Sequence, residues 1–117
     1  MTSPLEHATV LDDLAVDPVS DEVVLVMVET RPWDSSPDQL RQLREKTSAY
    51  LGLVVDGELV RRHPEAAGRR VRFQLECRAG EPTGEASRTV TKLTDIVGRY
   101  GVRLEVSSSP PSPRQDG

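Results

Sequence analysis

Hydrophobic and polar residues alternate without a break over "VRFQLECR", residues 71–78. Val71, Phe73, Leu75 and Cys77 fall on one side, and Arg72, Gln74, Glu76 and Arg78 on the other. A period of two predicts a strand with one buried face. "VRLEV" (102–106) repeats the pattern with Val102, Leu104 and Val106 inward, and "VLDDLAV" (10–16) follows it weakly, with Val10, Leu14 and Val16 on one face and Asp12 interrupting. "EVVLVMVE" (22–29) is apolar on both faces, the pattern of a central strand covered on two sides. The turn chemistry of "DPVSDE" (17–22) joins it to the first strand as an antiparallel hairpin.

Elsewhere the period changes to that of a helix. Leu40, Leu43, Thr47, Tyr50, Leu51, Val54 and Val55 recur at steps of three and four, while Arg41, Arg44, Glu45 and Lys46 are assigned to the outer side. Ser36 is the expected N-cap, with Pro37 at the first helical position and Gln39 completing a capping box; "DG" at 56–57 ends the helix. A short helical turn in "ELVRRHPEAAGRR" (58–70) stops at Pro64. Ala86, Val90, Leu93, Val97 and Tyr100 mark a second amphipathic helix that Gly101 closes.

The order strand-strand-helix-strand-helix-strand predicts two right-handed crossovers between parallel strands. With both main helices on one face, the fold class is α+β. It is a two-layer sandwich on a four-stranded mixed sheet of order 1-2-3-4, with the first strand antiparallel.

The chain has 117 residues, 36% of them hydrophobic, which suits one domain with one modest core. That domain is expected over 9–106, with disordered ends at 1–8 and over the Ser/Pro-rich tail 107–117. The longest apolar run, "VVLVMV" at 23–28, is far short of a membrane helix, and no secretory signal is visible in "MTSPLEHATV". With one cysteine, Cys77, the reading is cytoplasmic.

The spacing of "VLDDLAVD", "EVVLVMVE", "RPWD", "LREKTSAYL", "DGEL", "HPEAAGRRVRFQLEC" and "RYGVRLEV" resembles a family of small bacterial proteins known only as a domain of unknown function. The resemblance covers about residues 9–106 and implies the fold without any activity, substrate or catalytic residue. Leu53, where a larger aromatic residue is expected, and the tail after Val106 depart from the pattern.

Two groups of residues carry candidate chemistry. Beyond the carboxyl ends of parallel strands lies the usual ligand crevice, and Glu29, Arg31, Trp33 and Asp34 are expected there with the loop Gly80–Gly84. Trp33 and Asp34 read first as a structural junction, an aromatic anchor and a helix-start acid, and secondarily as the rim of a site. Arg61, Arg62, His63, Arg69, Arg70 and Arg72 form a basic block opposed in sequence by Glu65 alone. Residues 1–34 hold eight acids against Arg31. This polarity reads either as an interaction surface or as local ion pairs.

No catalytic residue, metal site or cofactor is assigned. His7, His63 and Cys77 have no metal-ligand spacing, and the glycines make no phosphate-binding fingerprint. A net charge of -4 and 3% aromatic content argue against nucleic acid. The expected function is non-catalytic, through an interaction surface for either a protein partner or a second copy, the homodimer being one across the second apolar face of strand 2. The alternative is a small-ligand or anion-binding domain using the crevice near Trp33 and Asp34.

Overall fold

The fold is seen in a computed structural model that describes residues 13–34 and 36–108. The elements run β1 (Asp13–Val16), β2 (Val23–Glu29), α1 (Pro37–Val55), α2 (Glu58–Arg62), a single 3-10 turn (Pro64–Ala66), β3 (Val71–Cys77), α3 (Gly84–Gly98) and β4 (Arg103–Ser108). The sheet order is β1-β2-β3-β4, with β1 antiparallel to β2 and the other neighbours parallel. This is the expected α+β sandwich. Residues 107 and 108, assigned to the tail by composition, instead belong to β4, where they pair with Glu76 and Cys77. The expectations for residues 1–12 and 109–117 lie outside the described residues.

The alternating face of β3 meets the helices. Phe73 and Leu75 pack with Leu25 and Met27 of β2, Leu43 and Tyr50 of α1, Leu59 of α2, and Val90, Leu93 and Val97 of α3 in one continuous core. The Tyr50 and Phe73 rings meet edge to face at 5.8 Å and 82°. The Tyr50 hydroxyl then donates to the Val26 carbonyl at 2.9 Å, tying the middle of α1 to the central strand.

Both helix stops work as the glycines suggest. Gly57 and Gly101 take positive φ, at 77° and 79°. After α3 the Gly101 N–H donates to the Gly98 carbonyl and the Val102 N–H to the Val97 carbonyl, each at 3.1 Å, so the chain reverses into β4 with both valines in the core. The predicted stripes overreach at their ends. Val55 and Tyr100 are both 57% exposed: Val55 is the last residue of α1, and Tyr100 lies past the end of α3 at Gly98.

The second face of β2 forms a separate cluster, Val24, Val26 and Val28. Its neighbours are Arg72, Gln74 and Glu76 on β3 and, on β1, Asp13 opposite Val26 and Ala15 opposite Val24. These valines are only 7–8% exposed in one copy of the chain. The cover that the doubly apolar strand demands is therefore met within the molecule, and a dimer across this face is not required to supply it.

Candidate functional site

At the carboxyl ends of β2 and β3, Glu29 stands opposite Cys77 in the ladder, and both point into the helical layer. Glu29 is fully buried and bound on several sides. Its carboxylate accepts from Arg31 through the backbone N–H (2.9 Å), Nε (2.9 Å) and Nη2 (2.8 Å), and from Gln39 Nε2 at 3.1 Å. Arg31 Nη2 also donates to Gln42 Oε1 at 2.8 Å. Glu29 and Arg31 are thus joined as expected, but as a clamp that fixes the start of α1 to the end of β2.

Ser36 caps α1, its Oγ accepting from the Gln39 N–H at 3.2 Å. The reciprocal half of a capping box is absent. The Gln39 side chain instead accepts from the Asp34 N–H at 3.1 Å and reaches Glu29 and the Pro32 carbonyl. Asp34 faces solvent and accepts from the Ser36 N–H at 2.9 Å, which holds its carboxyl below the usual carboxylate range. Trp33 is half-buried against the core, and its Nε1 is buried without a hydrogen-bond partner. Burial pushes the Cys77 thiol above its usual value; the Trp33 indole opposes this, and Glu29 and Glu81 reinforce it. This direction disfavours the thiolate, the nucleophilic form of cysteine. Trp33 and Asp34 lie between β2 and α1, Trp33 packed on the core and Asp34 bound to the Ser36 N–H.

The basic block does not form one surface. Arg61 and Arg62 bind Glu58 within α2, on the helical side of the sheet. Arg69 reaches across to Asp21 in the β1-β2 turn, while His63 Nδ1 lies 3.7 Å from Glu65. Arg70 is exposed. Arg72 lies on the open face of the sheet, where Nη1 contacts Glu22 at 3.0 Å and Asp17 at 3.3 Å. Arg103 joins them, donating to Glu22 through Nε (3.0 Å) and Nη2 (2.8 Å). Three acids of the N-terminal region thus meet three arginines from distant parts of the chain, and much of the sequence polarity is neutralised inside the fold.

A family model matches residues 3–110, which takes in every element of the fold. The chain belongs to DUF6572, a family of unknown function. No curated protein and no solved structure matches it.

Two further polar groups of this DUF6572 chain escaped sequence reasoning. Lys46, assigned to the outer side of α1, is fully buried, with Nζ 5.7 Å from the Tyr50 ring centroid. Its spacing carried the signal, since 43, 46, 47 and 50 share one helical face. Glu22 is the other: buried at the amino end of β2, it gathers Ser20, Arg72 and Arg103. Among the described residues, no helix of the DUF6572 chain is long and apolar enough to cross a membrane.

Glu22 sets a pH dependence. The Arg103 hydrogen bonds, followed by those from Ser20 and the charge of Arg72, hold its carboxyl below the usual 4.5. A lowered folded value means that folding sheds a proton, so the contribution is complete above about 4.5 and is lost as pH falls through the folded value. Stability should be steady from about pH 7 to pH 5 and decline below that. The Glu22→Gln variant should show a shallower acid limb in urea melts at stepped pH; an unchanged limb would mean that Glu22 does not contribute.

Proposed function

We propose that the protein is a non-catalytic interaction module that docks protein partners along the open edge of its sheet at β4. The supporting observation is the exposed strand itself. Among the described residues β4 has one neighbour, β3, and presents six residues with Arg103 54%, Glu105 44% and Val106 39% exposed. A strand edge carries unpaired N–H and C=O groups, and adding a partner strand satisfies them. Among the described residues β4 has 6 residues, against 4 in β1 on the other side of the sheet. The two surfaces suggested by sequence are less continuous, because Glu29 is buried and the basic block is divided among α2, the β1-β2 turn and the open sheet face.

Carboxylate footprinting tests this reading. Labelling of Glu105 should fall in protein isolated under native conditions from its host, relative to the dilute purified chain. Glu85 and Asp95 on α3 should label equally in both; equal labelling of Glu105 as well counts against the β4 edge.

A second reading keeps the crevice as a small-ligand or anion site, and the unpartnered Trp33 Nε1 favours it. Trp33 is the one tryptophan, so its emission during titration with anionic metabolites is a direct readout. A saturable change supports this reading, and a flat response across the set removes it.

A further inference from the structure

We infer that the partner of the β4 edge is a second copy of this chain, paired antiparallel about a two-fold axis at Leu104. This rests on the edge-docking reading and names its partner. In β4, Arg103 and Glu105 lie on the open face two residues apart, with Leu104 between them on the core face. Antiparallel pairing centred on Leu104 sets Arg103 of each copy opposite Glu105 of the other, and Val102 opposite Val106. The strand residues that face one another are then matched, Arg103 with Glu105 on either side of a Leu104 pair, and Val106 meets Val102 just ahead of the strand, while Ser107 and Ser108 fall opposite the turn at Gly101 and Tyr100 and make no matched pair. In-register parallel pairing would oppose like charges, and a shift of one residue would put charged side chains on the core face.

The two-fold makes the contact self-complementary and closed. It keeps both helical layers on one side of a continuous eight-stranded sheet. Arg103 already holds Glu22 with two hydrogen bonds and contacts Glu105 of its own copy at 2.7 Å, so its guanidinium is oriented on the open face before any partner arrives. On the core side of the same edge, Val106 and Ser108 border a hollow of about 260 Å³ beside α3. With residues 103–105 of each β4 paired, the contact falls among small, transient interfaces, below roughly 1,200 Å².

The test uses the full chain and two charge reversals, Glu105→Arg and Arg103→Glu, in sedimentation velocity from about 5 µM to about 1 mM. The native chain should show a concentration-dependent dimer. Each variant alone places like charges opposite one another twice per dimer and should weaken association by roughly tenfold or more, while an equimolar mixture should restore it. Restoration by mixing is not expected if the charges act only within one copy. A monomer throughout the range overturns the inference, as does a dimer indifferent to both variants and their mixture.

Arg103→Glu also disturbs the Glu22 cluster, so a second measurement leaves these charges intact. A spin label at Ser108→Cys, in a Cys77→Ser background, should give an inter-copy separation near 27 Å, the span of about eight residues at roughly 3.3 Å each. A different distance, or none, overturns the register. Protection of Glu105 in host-isolated protein that is monomeric when pure would retain the edge and reject the second copy. Loss of protection would reject the edge itself.

Discussion

Glu29→Ala should lower the unfolding free energy by about 3 kcal/mol, read as a fall in the urea midpoint with the slope unchanged. The substitution removes the acceptor for three Arg31 donors and Gln39 Nε2 in a fully buried position. Breaking a buried charge pair typically costs about 3–5 kcal/mol. The lower end applies because the Arg31 side chain is 33% exposed and recovers some hydration. The effect should also be local. Released from Glu29, Gln39 no longer holds the chain ahead of α1, so amides of the first helical turn should exchange faster and Trp33 emission should shift to the red. Glu29→Gln keeps the shape and one good acceptor and should cost about half as much. A loss below about 1 kcal/mol for the alanine variant would show that the clamp contributes little.

Phe73→Ala should cost about 4 kcal/mol, within the range of about 3–5 kcal/mol for removing a core phenylalanine. Phe73 is fully buried at the centre of β3, between β2 and β4 in the ladder, and the Tyr50 ring rests edge-on against it. Cavity formation therefore adds to the lost transfer energy, and Tyr50 loses the contact that steadies its hydroxyl on the Val26 carbonyl. Domains of this size retain about 5–15 kcal/mol in total, so the variant should be close to unfolding at 37 °C, with a large fall in midpoint by thermal melt. Phe73→Leu should retain most of the stability. Comparable melting of the alanine variant and the native chain would place the core elsewhere.

The fold was largely legible in the sequence because its signals are local. The alternation at 71–77 specifies which face of β3 is buried, Ser36 and Pro37 begin α1, and Gly57 and Gly101 end the two main helices. Strand order followed from connection rules and from placing both helices on one face. What escaped was long-range or atypical. Lys46 is grouped with the polar residues of the outer side, yet its spacing from Leu43 and Tyr50 is that of the buried face, and it is buried. Gln39 was read as half of a capping box, whereas its amide is used by Glu29, ten residues earlier, at the strand end that α1 approaches.

The candidate site shows the same division. Arg69 meets Asp21 across 48 positions, Arg72 meets Glu22 across 50, and Arg103 meets Glu22 across 81. Counting charges along the chain exposes their imbalance, while only the folded ladder brings those partners together. The apolar second face of β2 was likewise a sound signal of cover, but it did not identify what supplies that cover. The self-complementary order of Arg103, Leu104 and Glu105 was visible in the sequence. It gains meaning only when β4 is found at the edge of the sheet.

Hydrogen exchange of the β4 amides at two protein concentrations tests the central claim most directly. At high concentration amides in alternate positions of residues 103–106 should slow, while the amides of β2 remain unchanged. Exchange in β4 that is the same at both concentrations would contradict an edge closed by a second copy.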